Sequence, residues 1–385
     1  MSGADTTGTT NVRAGMQIDG ERLASYLAAH FKSTSQAVEF KPPLQIKQFK
    51  FGQSNPTYFI SDAKYDVSAH GNKFVLRKKP PGQLISKTAH AVEREFRVIN
   101  ALYSNSIMPV PRVYLLCEDH LVIGTPFYVM QFLNGRIFAD NRLTDLNATQ
   151  RKDCYNACMD TLARLHTAPI AKIGLANFSR TPAGFYTRQM ATLTVTTNQQ
   201  HASNPTIVPA IPRVADMLAW FARNSIADEA PAVIHGDFKL DNMVFDPIES
   251  KIIGVLDWEM STLGHPLSDL ANFLLPWYTP HTFTELPGGV GFKDEVRPLP
   301  VPEAQDLIEE YCKRSGRAYP IPRFEFCIAF SFFRLLVIMQ GVAARAARKQ
   351  ASSANVIQVD EKLMRKYSNL VLDIVDAGDL DASKL

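Results

Sequence analysis

The stretch APAVIHGDFKLDNMVFDPIESKIIGVLDWEMS, from Ala230 to Ser261, decides how this chain is read. Apolar Val233 and Ile234 run into a polar loop. Met243 to Phe245 form a second apolar run, Pro247 marks a turn, and Ile252 to Leu256 form a third run. Short apolar runs broken by Gly, Pro and Asp predict strands joined by tight loops. Two of those loops carry His235, Asp237, Asn242 and Asp257.

These residue types in this order suit phosphoryl transfer. An Asp on the first loop orients a substrate hydroxyl and accepts its proton, a nearby Asn binds Mg2+, and an Asp after the next hairpin supplies the other principal metal ligand. Mg2+ prefers hard oxygen donors and keeps several waters, so Asn242 and Asp257 are the expected ligands, with Glu259 assisting directly or through water. Glu259 shares the side of Asp257 if the backbone there is extended. Asp237 is then the catalytic base, and Lys239 offsets the charge that spreads over the transferred group. His235 is expected to brace the loop rather than move protons, because a nearby Asp suffices as base.

Toward the N-terminus, Leu23, Leu27 and Phe31 recur at helical spacing. IKQFKFGQSNPTYFISD predicts two strands around a Gly52-Gln53-Ser54-Asn55-Pro56 turn, and GNKFVLRKKPPG predicts a third. AHAVEREFRVINALY places Val92, Phe96, Ile99 and Leu102 on one helical face, and RVYLLCED and TPFYVMQFL add two more strands. Such a sheet with one main helix is an α+β unit rather than a βαβ repeat. After Gly135 the pattern turns helical, through CYNACMDTLARLHTA and RVADMLAWFARNS to a last helix around Leu363, Tyr367, Leu370 and Ile374. The expected organisation is a disordered arm over 1–15, an N-terminal lobe over 16–133, a helical lobe with the catalytic and metal loops over 134–376, and a flexible tail over 377–385. Thr279 to Pro302, dense in Pro and Gly, is a candidate lid beside the site.

Bulk properties narrow the classes. With 41 Lys plus Arg against 38 Asp plus Glu, the net charge of +3 excludes a polybasic nucleic-acid binder. At 46% hydrophobic residues, the chain is too apolar for global disorder. Five cysteines are an odd, sparse set, which argues against a disulfide framework and for a reducing compartment. Cys154 and Cys158 lack a second Cys or His cluster, so they read as core or helix-surface thiols and not as zinc ligands. The N-terminus has no apolar core of the kind a signal peptide needs. The apolar stretch from Phe326 carries Arg334 near its middle, which fits a buried helix better than a membrane span. Arg334 is expected to pair with a buried carboxylate. Ser383, Lys384 and Leu385 match a receptor-read peroxisomal address, making an import receptor the expected partner and the peroxisome the expected location.

HGDFKLDN, VLDWE and GHPLSDLA, together with FGQSNPTYF, FVLRKKPPG, VEREFRVINAL, GTPFYVMQFLNGRIF and LARLH, resemble the aminoglycoside-phosphotransferase and choline-kinase-like family. Within it, the chain looks most like the kinase-like region that precedes the dehydrogenase in some acyl-CoA dehydrogenase family proteins. The likeness covers nearly the whole chain from the neighbourhood of Phe40. It implies a bilobal protein-kinase-like fold, ATP and Mg2+ as cofactors, and a small-molecule hydroxyl as acceptor. A hydroxyacyl-CoA or hydroxy acid of fatty-acid catabolism is the implied substrate, with a separate acyl-CoA dehydrogenase acting on the product. The resemblance also implies that the turn of Gly52, Gln53, Ser54 and Asn55 covers the phosphates and that Glu95 pairs with the phosphate-binding cation. The carbonyl of Gln131 and the amide of Leu133 would hold adenine. Where the family generally has a strand Lys, this chain has Arg77, with Lys79 on the same strand face as the alternative cation.

His166 is expected to be a satisfied core or interlobe histidine, and Asp269 a loop-bracing or helix-capping carboxylate. Two rival readings stand beside the small-molecule kinase. A protein kinase is opposed by Asp257-Trp258-Glu259 in place of Asp-Phe-Gly and by the lack of an Ala-Pro-Glu element. A catalytically silent nucleotide- or acyl-CoA-binding module would keep the fold without turnover.

Overall fold

The computed structural model describes residues 8–382 except 14, 35–42, 50–54, 63–71, 81–90, 180, 182, 286–289 and 349–358, with side chains described as far as 377. The chain packs as two units. One comprises the first 134 residues together with Leu256–Glu259, and the other Gly135–Val255 with Met260–Leu385.

In the first unit the elements run β1 (Thr9–Thr10), α1 (Gly20–Ser33), β2 (Gln45–Phe49), β3 (Thr57–Ser61), β4 (Lys73–Lys78), α2 (Val92–Ser104), β5 (Val113–Cys117), α3 (His120–Ile123) and β6 (Phe127–Gln131). The strands form one antiparallel sheet in the order β1-β2-β3-β4-β6-β5. Alternation along each strand sends successive side chains to opposite faces. Tyr58, Ile60, Phe74, Leu76, Phe127 and Val129 cluster with Leu23, Leu27 and Phe31 of α1. Each such buried aliphatic or aromatic side chain contributes about 1.5–3 kcal/mol. The intervening residues Arg77 and Tyr128 turn the other way, where Glu95 of α2 meets them.

The arm expected over 1–15 is corrected at its described end. Thr9 and Thr10 pair with Phe49 and Gln48, and the Arg13 backbone N–H donates to Gln48 Oε1 at 3.0 Å. The edge of β2 offers backbone groups for pairing, and two threonines pair with its last two residues without leaving any periodicity in the sequence.

The second unit continues with α4 (Ala148–His166), α5 (Phe185–Ser203), α6 (Val214–Arg223), β7 (Ala232–Ile234), β8 (Met243–Phe245), β9 (Ile252–Val255), β10 (Thr262–Gly264), α7 (Leu267–Tyr278), α8 (Ala304–Ser315), α9 (Phe324–Ala347) and α10 (Glu361–Ala382). The strands make two small antiparallel pairs, β8 with β9 and β10 with β7. Helices α5, α7 and α10 pack on α9. Helix α9 is long and apolar enough to cross a membrane by length and composition, but 78% of its apolar window is buried inside the protein. It is the core helix of this unit. Cys154 and Cys158 of α4 are fully buried, with Cys158 Sγ 3.1 Å from the Cys154 carbonyl and 3.5 Å from Met243 Sδ. The flexible tail expected from 377 is also corrected, because α10 runs on to Ala382. Its packed face, with Val371, Leu372 and Val375 buried, anchors the preceding turns from which the helix propagates.

Candidate active site

In the second unit, β7 delivers the chain into a loop that is fixed from behind. Asp269, in the first turn of α7, accepts the backbone N–H groups of His235 at 2.6 Å and Gly236 at 2.8 Å. It also lies 3.4 Å from His166 Nε2, whose Nδ1 is 2.8 Å from the Tyr311 hydroxyl. Burial pushes the Asp269 carboxyl up, but the His166 hydrogen bond, the histidine charges and the His235 N–H outweigh it and hold the group below the usual carboxylate range. Asp269 and His166 thus take the bracing and satisfied-core roles their sequence context suggested.

Gly236 has φ +85°, and a Cβ there would come within 2.5 Å of the Met260 carbonyl oxygen. Only glycine fits both constraints. Arg334 donates from Nη2 to the Gly236 carbonyl at 2.5 Å. The expected carboxylate partner for Arg334 is therefore corrected: a backbone carbonyl, which leaves no side-chain signature in a sequence, accepts its hydrogen bond. His235 is buried, and its Nδ1 accepts from the Asp237 N–H at 3.2 Å.

The loop presents Asp237 half-buried, beside Asn242 at the end of a 3-10 turn, Leu240–Asn242. Asn242 Nδ2 donates to the Asp237 carbonyl at 2.9 Å and to Asp237 Oδ2 at 3.1 Å. That pose leaves Asn242 Oδ1 as an acceptor for another group. Lys239 Nζ lies 3.3 Å from Asp237 Oδ2 and 3.5 Å from Asp241 Oδ2. Asp241 was not singled out in the sequence, although its spacing in DFKLD was the available signal. Burial pushes its carboxyl up against the pull of Lys239. Asp237, Lys239 and Asp241 all border a cavity of about 200 Å³.

In the first unit, a second cluster forms around Arg77. Its Nε lies 2.9 Å from Glu95 Oε2, at ion-pair distance but off the line of a hydrogen bond, and its Nη2 donates to Asp257 Oδ1 at 2.7 Å and Glu259 Oε2 at 2.9 Å. Lys79 instead pairs with Glu93 at 2.9 Å, nearer the surface. Of the two cations considered, Arg77 is the one that meets Glu95. Glu95 accepts from Asn55 Nδ2 at 2.7 Å and from the Tyr128 hydroxyl at 3.0 Å. Burial pushes its carboxyl up, to about 7, with Glu259 and Asp257 adding to the rise and Arg77 and Tyr128 opposing it.

Two expectations change here. Asn55, placed over the phosphates by resemblance, is fully buried with its amide on Glu95. Glu259 does not share a side with Asp257 through an extended backbone, because Asp257 has φ +65° and Trp258–Met260 form a 3-10 turn. The two carboxylates converge on Arg77 by this tight turn instead. A non-glycine residue in the left-handed region costs energy and often marks a functional site.

The remaining assignments are positional. Gln131 ends β6 opposite Phe74, with its N–H donating to the Arg112 carbonyl at 2.8 Å, and Leu133 follows just after the strand. Gly52, Gln53 and Ser54, like Ser383, Lys384 and Leu385, lie outside the described residues. Asn242 Oδ1 in the second unit, and Asp257 and Glu259 in the first, are oxygen donors of the hard type that Mg2+ prefers. Among the described residues no group of three or more His, Cys, Asp or Glu gathers as a protein cage.

Residues 45–300 match the phosphotransferase enzyme family. The chain belongs to that family. Among curated relatives it is 37% identical to acyl-CoA dehydrogenase family member 10 of Mus musculus, over 95% of this chain and 32% of that protein. It is 38% identical to acyl-CoA dehydrogenase family member 11 of Rattus norvegicus, over 92% of this chain and 44% of the relative. The chain thus spans less than half the length of either. Among solved structures, a candidate aminoglycoside phosphotransferase of Ralstonia eutropha is 30% identical with TM-score 0.76, covering 94% of this chain and 99% of that one. The aminoglycoside phosphotransferase APH(4)-Ia, solved with ADP and hygromycin B, has TM-score 0.55 at 13% identity over 92% of this chain and 98% of its own, a likeness of fold alone. The α+β, protein-kinase-like fold expected from the sequence is the fold observed.

Proposed function

We propose that this phosphotransferase-family chain moves the γ-phosphoryl group of ATP, with Mg2+, onto the hydroxyl of a small molecule, a hydroxyacyl-CoA or hydroxy acid. The observation that carries the reading is Asp237, hydrogen-bonded to Asn242, on a loop held by Asp269 and open to a cavity. Asp237 orients the acceptor hydroxyl and takes its proton as the new P–O bond forms and the bond to the leaving ADP oxygen breaks. Lys239 offsets charge on the transferred group. Asn242, Asp257 and Glu259 are the residues that would hold the metal, which would supply positive charge to offset that of the phosphates. Arg77, positioned by Glu95, is the phosphate-binding cation, and its bidentate fork suits phosphate oxygens. Gln131 and Leu133 provide the backbone edge for adenine.

The acyl substrate is supported by the acyl-CoA dehydrogenase names of the relatives. Ser383-Lys384-Leu385 supports a peroxisomal setting through an import receptor, and a separate acyl-CoA dehydrogenase is the proposed consumer of the product. The test is incubation of the purified chain with ATP, Mg2+ and a panel of 3-, 4- and 5-hydroxyacyl-CoA thioesters and small alcohols, reading ADP release and product mass. Phosphorylated hydroxyacyl product is expected. Efficient phosphorylation of another alcohol with no thioester product removes the substrate, and no turnover with any acceptor favours the silent binding module.

A further inference from the structure

The cavity next to Asp237 has walls unlike the mouth that holds the catalytic groups. Phe273, Trp277, Phe283, Leu335 and Tyr367 line it. Among the described residues that border it, the charged ones are Asp237, Lys239 and Asp241, and Lys239 already sits between the two carboxylates. A polycationic sugar needs spare carboxylates along its length, and these walls supply none. They suit an apolar chain.

One wall is held by a clasp. Lys366 of α10 places Nζ 3.8 Å from the centroid of the Phe283 ring and 2.6 Å from Glu285 Oε1. Phe283 also meets Tyr367 edge-on, with ring centroids 5.2 Å apart. A cation over a ring face and a carboxylate on the same ammonium fix the ring and its segment together. Farther along, Lys293 Nζ lies 3.5 Å from Asp373 Oδ2, a second tie from this segment to α10.

We propose that the cavity receives the apolar chain of the acceptor while its hydroxyl lies at Asp237, and that Phe283, positioned by Lys366, sets the chain length accepted. This rests on the reading of the site as a phosphotransferase for hydroxy acids. At about 200 Å³, the space exceeds the ~150 Å³ apolar cavity that binds a benzene ring. It holds a chain of about six carbons, with any remaining bulk of the substrate outside. Phe283 touches substrate in this scheme, and Lys366 is a positioning residue.

The test measures binding and turnover separately for straight-chain hydroxy acids of about four to about twelve carbons and their CoA thioesters, each added methylene that is buried giving about 0.8 kcal/mol. The native chain is expected to bind best near the middle of the series by calorimetry. Phe283→Ala should raise the preference for the longer chains about tenfold, the effect of burying roughly two more methylenes. Lys366→Met should shift the profile the same way by less, through KM rather than kcat. Leu335→Phe, which fills the cavity and leaves the clasp intact, should shift it toward shorter chains and covers the case in which Phe283→Ala does not fold. A profile that none of these variants moves, or tighter binding of an aminoglycoside than of any hydroxy acid, overturns the proposal while leaving phosphotransfer standing. Chain-length-dependent binding without phosphorylation overturns the proposed activity and leaves the chain pocket standing.

Discussion

Glu95 in the first unit and Asp269 in the second are both 1% exposed, yet their carboxyl groups shift in opposite directions. Both meet a large desolvation cost. Asp269 accepts two rigid backbone N–H groups and lies beside His166. Glu95 shares the charge of Arg77 with Asp257 and Glu259. A cation shared with two other acids does not fully compensate the buried Glu95, whereas dedicated dipoles keep the buried Asp269 ionised. The two carboxylates support different kinds of site. Asp269 makes a fixed platform for the Asp237 loop, and Glu95 belongs to a charge cluster whose balance depends on what else binds there.

Arg77→Ala should break the contrast most severely. It strands three carboxylates around a vacated cation and should cost about 3–5 kcal/mol in chemical denaturation. Arg77→Lys keeps the charge and should recover part of that loss. A cost below about 1 kcal/mol would show that water reaches these carboxylates freely. Asp269→Asn should cost about 1.5–3 kcal/mol, the range for hydrogen bonds to a charged group. Because the loop carries Asp237, kcat should fall with it.

The pH dependences sharpen the comparison through their signs. Asp269 is depressed below its ordinary 3.8, so its contribution is present above pH 3.8 and is lost as pH falls through the lower folded value. Glu95 is raised from 4.5 to about 7, so its contribution is present below pH 4.5 and is lost as pH rises through about 7. In denaturation midpoints measured against pH, Asp269→Asn should flatten the acid limb below pH 3.8. Glu95→Gln should flatten the decline between pH 4.5 and about 7. The same limb flattening in both variants would contradict the opposed shifts. The smallest effect is expected from Lys79→Ala. Its pair with Glu93 is partly exposed, at 21% and 37%, and should contribute under about 1 kcal/mol.

The Asp237 loop was readable because its spacing places chemistry-bearing side chains on strand ends that apolar runs announce. His235 could be given a supporting role from the same loop, His166 from the apolar helical face it follows, and Asp269 from its place at a helix start. What escaped the sequence was direction. Nothing in the order of residues shows that the Asn55 amide turns back to Glu95, that Arg334 reaches a carbonyl, or that Asp257 adopts a left-handed conformation. Partners in such contacts are backbone atoms or residues far away along the chain. Thr9 and Thr10 join the sheet through backbone pairing, which no apolar pattern reports. Phe283 and Tyr367 come together through tertiary packing of a segment without regular structure on α10, so the wall they form had no local signature.

The central claim is that Asp237 serves phosphoryl transfer on a platform that does not depend on it for stability. The direct measurement is ATP-dependent formation of phosphorylated hydroxyacyl product by the native chain and by Asp237→Asn, with ATP binding and unfolding followed on the same samples. The variant should lose about 10²–10⁴-fold in turnover while keeping ATP affinity and stability. Turnover within a few-fold of the native chain, in a variant that binds ATP and folds normally, would contradict the account.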